Sequence, residues 1–280
     1  MLKKVNIKTI FLINFLYFKQ LQMIQVIYDG TYEGWLTAVF EIYEFKLQDV
    51  IFSKTESSAA LLFATTHFVT TDIEKAKRVS DGLKQRLSDE GFQRIYKTFF
   101  SEIDFVEDIM FRFARYVFSS PKNIEEDFSN NDVWDVRKAA KITRRESHRM
   151  KAFVRFKLTQ DELYYAIIEP ECNVLPLIEN HFKSRYADQR WLIYDAKRKY
   201  GIYYDLEDTS IVELQFNSNM TSSQAMMEIC DGEEEFFQVL WGRYFSSVNI
   251  ESRKNMKLHL KHMPKRYWKN LTEKTIAVKY

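Results

Sequence analysis

Trp191-Leu-Ile-Tyr-Asp-Ala-Lys-Arg-Lys-Tyr-Gly-Ile-Tyr-Tyr204 is the stretch on which the fold class turns. Trp191 to Tyr194 and Gly201 to Tyr204 are short runs rich in aromatic and aliphatic residues, and the polar Asp195-Ala-Lys-Arg-Lys199 between them has the composition of a turn. A hairpin is predicted. Upstream, Leu163 to Ile168 is a further strand after the turn at Thr159-Gln-Asp-Glu162. Lys151 onward alternates, with Ala152, Val154 and Phe156 opposed to Lys151, Phe153, Arg155 and Lys157, as a half-buried strand does. Asn173 to Tyr186 is a helix that tolerates Pro176 near its start. Downstream, Ile211 to Phe216 adds a strand, and Glu233-Glu-Glu235 suits the first turn of a helix, where acids favour the dipole.

The N-terminal portion reads differently. Ile24 to Tyr28 is strand-like, Asp29-Gly30 signals a turn, and Tyr32 to Phe45 has helical spacing. Ser57 to Phe63 takes no assignment, Thr65 to Val69 is extended, and Asp72 caps a following helix. From Gly91 to Phe118 nine aromatics recur at mixed spacings of three and four, the pattern of helical core packing. The expected fold is α+β: a helical N-terminal portion, then a mainly antiparallel sheet with packed helices in the C-terminal half. The acidic connector Glu125-Glu-Asp127 places the boundary, giving 23–130 and a basic α+β portion at 131–280.

With 46% hydrophobic and 16% aromatic residues, seven Gly and four Pro, the 280-residue chain is neither disordered nor turn-rich. Cys172 and Cys230 stand apart from any Cys/His cluster, so no disulfide framework, zinc site or iron–sulfur site is expected, and a reducing, cytoplasmic setting fits. Residues 1–22 begin basic and turn apolar. They lack a cleavage site and are too short in their apolar run to span a bilayer, so Met23 is the expected natural start and no membrane role is expected. Of the 41 Lys and Arg, four (Lys3, Lys4, Lys8 and Lys19) lie in that extension, and 37 would remain against 39 acids. Net charge therefore points to no partner, whereas its distribution does.

Two basic blocks stand out. From Arg137 to Lys157 there are nine Lys or Arg and one acid, Glu146. Arg137, Lys141, Arg144 and His148 share one helical face, with Lys138, Arg145 and Arg149 beside it, while Val136, Ala140, Thr143 and Ser147 make a small-residue face opposite. Stacked like charges repel unless an anion meets them. The bland alternative is a solvated face. Arg253 to Asn270 holds seven Lys or Arg (Arg253, Lys254, Lys257, Lys261, Lys265, Arg266, Lys269), two His and no acid, with Tyr267 and Trp268 embedded. Exposed rings would stack on bases; buried ones would be core anchors, with Leu258, Leu260 and Met263, and burial is the favoured reading for Trp268.

Catalytic signals are sparse. Gly-rich phosphate loops, GxSxG and HExxH are absent, and His259 with His262 lacks further ligands for a metal. Glu146 with His148, and Asp195 beside Tyr194 and Lys197, are the candidate acid/base groups, equally readable as pairing and turn residues. No cofactor is expected.

Four motifs carry a resemblance: Tyr28-Asp-Gly-Thr-Tyr-Glu-Gly-Trp-Leu-Thr-Ala-Val-Phe-Glu41, Arg145-Glu-Ser-His-Arg-Met-Lys-Ala-Phe-Val-Arg-Phe156, Asp188-Gln-Arg-Trp-Leu-Ile-Tyr-Asp195, and Ser247 to Lys269. Over Met23 to about Glu273 the chain resembles a bacterial family of DNA metabolism and DNA repair proteins. Members occur beside a radical-SAM protein assigned to DNA modification or repair, and a similar domain is fused elsewhere to a uracil-DNA glycosylase-like domain. The resemblance brings no catalytic residue, and the chain lacks the CxxxCxxC of a radical-SAM enzyme. It implies an accessory DNA-binding role, with DNA, the radical-SAM protein and a uracil-DNA glycosylase-like protein as expected partners. The acidic Glu125 to Asp127 could face such a partner, with solvated linker as the favoured reading. The alternatives are an enzyme acting on a damaged base, with its pocket rimmed by Trp191 and Tyr194, and an RNA-binding module.

Overall fold

The computed structural model describes residues 23–54, 65–213 and 255–275, with residue 240 besides. They divide into two compact units, one ending at Lys141 and the other beginning at Ile142. The features expected at 1–22, 57–63, 214–216 and 233–235, together with Cys230, Arg253 and Lys254, lie outside the described residues.

In the first unit, β1 (Ile24–Tyr28), β2 (Val50–Lys54) and β3 (Thr65–Phe68) form a parallel sheet in the order β2-β1-β3. β1 is central, which explains its apolar run; the amide of buried Gln25 donates to Ser53 Oγ at 3.0 Å. The turn into α1 (Tyr32–Glu44) is tied by side chains. Gly30 takes a φ of +82°. Asp29 Oδ1 accepts from the Thr31 amide at 2.9 Å, and Thr31 Oγ1 caps the helix through the Gly34 amide at 2.9 Å. Gly34 is required there, since a Cβ would lie 2.1 Å from Asp29 Oδ1.

Asp72 caps α2 (Ile73–Lys84) through the Glu74 and Lys75 amides, as its position predicts. The helices α3 (Asp89–Phe99) and α4 (Val106–Ser119) bury Phe99, Phe100, Phe111 and Phe113, in agreement with the core reading of the aromatic stretch. Phe105 departs from it: it precedes α4 in a left-handed conformation and is 68% exposed. Glu125 turns inward. It is 7% exposed and accepts from the Ser88 amide at 2.6 Å, Ser88 Oγ at 2.9 Å and Asn123 Nδ2 at 3.0 Å, fixing the start of α3. The expectation of an acidic solvated connector holds there only for Glu126, whose side chain is 77% exposed.

The long helix α5 (Asn131–Phe153) begins in the first unit and ends in the second. Asn130 Oδ1 accepts from the Asp132 and Val133 amides and starts it. Its buried side carries Val136, Ala140, Thr143 and Ser147, the small-residue face expected from the sequence, with Met150 beyond. The strand predicted from Lys151 is corrected: residues 151–153 continue the helix, and only Lys157–Leu158 forms a strand, β4. Alternation was misleading because tertiary contacts fix the helix end. The Phe153 ring packs 5.4 Å from Tyr267, and Arg155 Nη1 donates to the Ala152 carbonyl at 2.8 Å.

The second unit holds a five-stranded sheet in the order β4-β5-β6-β7-β8, from β5 (Tyr164–Ile168), β6 (Trp191–Asp195), β7 (Tyr200–Tyr204) and β8 (Thr209–Glu213). The predicted hairpin is β6–β7, with Trp191 opposite Tyr204 and Asp195 opposite Tyr200. Only β5 and β6 run parallel, because α6 (Leu175–Arg185) crosses between them. β6 is buried on both faces: Trp191 and Ile193 meet Ile178 and Phe182 on one side, and Leu192 meets Tyr165 on the other. The last described segment holds α7 (Met256–His262), a 3₁₀ turn (Lys265–Asn270) and α8 (Thr272–Thr275). The arrangement is α+β. Among the described residues no helix is long and apolar enough to cross a membrane.

Candidate nucleic-acid interface

In the second unit the last three turns of α5 pack against the C-terminal segment through one buried carboxylate. Glu146, 2% exposed, accepts from the Glu171 amide at 2.9 Å and from Tyr267 OH at 2.6 Å. Arg266 Nη2 lies 3.2 Å from Glu146 Oε2, and Arg149 Nη1 lies 3.8 Å from it. A buried charge is tolerated when hydrogen bonds and counter-charges surround it, as here. Burial, and then the Glu146 hydrogen bond, push the Tyr267 phenol well above its ordinary range, so it remains a donor. A second clamp joins the helix end to α8: Arg155 reaches both oxygens of Glu273, at 3.2 and 2.8 Å, and the Glu273 side chain is fully buried.

The aromatics of the C-terminal run serve packing. Tyr267 is 4% exposed within the core, and half-buried Trp268 rests against that core while its Nε1 donates to the Met263 carbonyl at 3.1 Å. His259 meets Trp268 edge-on, burial lowering its pKa, whereas His262 faces solvent. Leu258 and Leu260, offered as core anchors, are instead exposed at 51% and 37%. Among the described residues no cluster of three His, Cys, Asp or Glu suits a metal ion.

The cations divide by whether an acid already holds them. Arg266 lies 3.0 Å from Glu171 as well as reaching Glu146, Lys269 pairs with Glu169 at 2.5 Å, and Arg155 pairs with Glu273. Arg149 is held between Glu146 and the Lys261 carbonyl. These groups are largely neutralised within the fold. Arg144, Arg145, Lys151, Lys257 and Lys261 are exposed, and no ion-pair partner stands beside them among the described residues. Lys265 is also exposed, lying over the Trp268 ring, and His148 faces solvent. The Arg149–Lys261 contact brings α5 and α7 together, so cations of both predicted blocks share this unit. In the first unit, Lys138 and Lys141 are exposed, while Arg137 donates to the Glu125 carbonyl, approaches Glu126 at 3.3 Å and covers the Phe128 ring.

The acid/base candidates are not assembled. Glu146 and His148 are two residues apart on a helix, hence on opposing sides; Glu146 is buried and occupied, and His148 is exposed. Asp195 is fully buried and accepts from the Lys197 amide at 2.9 Å, the Arg198 amide at 3.2 Å and Arg198 Nη1 at 2.6 Å, the work of a hairpin cap. Burial raises its pKa and Arg198 opposes that rise. Trp191 and Tyr194 are buried in the sheet. An open depression of about 500 Å³ in the first unit, lined by Gln85, Arg86, Phe118, Ser119, Ser120 and Pro121, contains no carboxylate or imidazole.

Two features escaped the sequence reading. The Arg155–Glu273 clamp links residues 118 apart, a separation that carries no local signal. Trp134, 56% exposed on α5, could have been found, because it stands four and seven residues before Lys138 and Lys141.

No curated protein and no solved structure matches this chain. Residues 104–273, well over half of it, match the family described as Domain of unknown function (DUF4130), and the chain belongs to that family.

Proposed function

We propose that the protein is a DNA-binding accessory of DNA repair, using the exposed cations of the second unit to hold the phosphate backbone. One observation carries this reading: Arg144, Arg145, Lys151, Lys257 and Lys261 remain exposed without acidic partners among the described residues, while Arg266, Lys269 and Arg155 are paired internally. Unpaired cations gathered in one compact unit favour a polyanion, whose condensed counterions they release on binding. The resemblance to DNA-repair proteins selects DNA from among polyanions and supplies the expected partners, a radical-SAM repair protein and a uracil-DNA glycosylase-like protein. The occupied state of Glu146 and Asp195 favours binding over base chemistry.

The test is a binding titration of labelled duplex DNA, with matched RNA as competitor. Wild type is expected to bind, and R144E/R145E/K257E/K261E is expected to lose more than tenfold in affinity while its folding is unchanged. Equal affinity in the two proteins contradicts the assigned surface. Preferential displacement by RNA contradicts the choice of DNA.

A further inference from the structure

Trp134 sits on the first turn of α5, within the first unit, and is 56% exposed. Three other tryptophans are described: Trp35 and Trp191 are buried, and Trp268 is half-buried against the core. At 56% exposure the indole forgoes about 1 kcal/mol of burial and keeps roughly half of its surface open to a ligand. Its helical neighbours give that surface a chemical character. Lys138 and Lys141, four and seven residues on, fall on the same face, roughly 6 and 10 Å further along the axis, and both are exposed. No ion-pair partner stands beside either among the described residues. The nearby acids do not oppose an anion there equally. Asp132 pairs with Arg112 at 2.8 Å and Glu126 with Arg137 at 3.3 Å, while Asp135 lies about 100° around the helix from Trp134.

We infer that Trp134, Lys138 and Lys141 form a single-strand contact, the indole stacking on an unpaired base and the two ammonium groups holding the phosphates that follow it. A flat ring beside backbone-tracking cations is the arrangement by which unpaired nucleic acid is held without sequence preference. A duplex offers phosphates to the lysines but keeps its bases stacked, so the ring adds nothing to duplex binding. The core of a protein–protein interface is depleted of lysine, whereas two lysines follow this tryptophan on its own face. The inference rests on the DNA-binding reading above and narrows its substrate to DNA with an unpaired segment.

The experiment measures affinity of the full chain for a labelled oligothymidylate and for a duplex of equal length, with wild type, W134F and W134A. The single-strand affinity of W134A is expected to fall about tenfold, W134F to retain most of it, and duplex affinity to change less than twofold in both. Trp134 is exposed, so W134A is expected to fold as wild type does, and thermal melting of each variant checks this. Salt-sensitive binding of both DNAs with W134A equal to wild type overturns this inference and leaves the accessory role standing. Absence of salt-sensitive binding to either DNA by wild type overturns the role itself, and this inference with it. Unchanged single-strand affinity accompanied by a changed sedimentation coefficient overturns it too, and assigns the ring to contact between protein chains.

Discussion

The Tyr267 hydroxyl lies 2.6 Å from Glu146 Oε2, joining the C-terminal 3₁₀ turn to the buried side of a helix 121 residues earlier in the chain. Glu146, readable from the sequence as an acid/base candidate or a pairing residue, here anchors the C-terminal segment. Tyr267→Phe removes one donor from a buried acid and is expected to cost about 1–3 kcal/mol. Glu146→Ala leaves Tyr267 OH and the Glu171 amide without their acceptor, while Arg266 keeps Glu171, and is expected to cost about 2–4 kcal/mol. Urea denaturation measures both, and stability equal to wild type in Glu146→Ala would contradict the anchoring role.

Charge reversal separates the two classes of cation. Arg266→Glu sets a carboxylate beside Glu146 and Glu171, and about 2 kcal/mol or more of stability should be lost. Arg145→Glu, on an exposed site without an acidic partner, should stay within about 0.5 kcal/mol of wild type. Comparable losses in both variants, read from denaturation midpoints at constant m, would remove the distinction.

Asp108 titrates unusually. Burial is the main cause of a pKa raised from 3.8 to about 6, Glu107 adds to it, and the Phe52 amide and Arg112 oppose it. A carboxyl whose folded pKa exceeds its unfolded value stabilises fully below the unfolded pKa, and that contribution is lost as pH rises through about 6. Because the group is partly solvated, the effect should be roughly 1 kcal/mol. Asp108→Asn is therefore expected to exceed wild type in stability at pH 8 by that amount and to approach it below the unfolded pKa of 3.8. A difference independent of pH would show that the carboxyl is not perturbed.

How far the sequence was legible depended on the range of the forces involved. The β6–β7 hairpin, the Asp72 cap and the small-residue face of α5 follow from neighbours in sequence and appear as expected. The helix end at Phe153 and the parallel order β2-β1-β3 depend on distant contacts. So does the fate of the cations: nothing near Arg266 in sequence reveals Glu146, 120 residues away. The basic blocks were visible as composition, whereas the division into paired and unpaired charges needed the fold.

Gly34→Ala tests the turn that opens the first unit. Its Cβ would sit 2.1 Å from Asp29 Oδ1, so the Asp29–Thr31 cap must open or the helix start must shift. A loss of about 2 kcal/mol or more is expected, and the cap itself accounts for about 1 kcal/mol of it. A thermal midpoint equal to that of wild type would contradict the tight turn.

On the proposed function, the unpaired cations of the second unit meet DNA phosphates. The slope of log K against log salt for duplex DNA, compared between wild type and R144Q/R145Q/K257Q/K261Q, measures those contacts. Each phosphate contact removed should flatten the slope by roughly 0.9. The wild-type slope should be steep and should fall by about 2 or more in the variant, with unchanged stability. Identical slopes would contradict it.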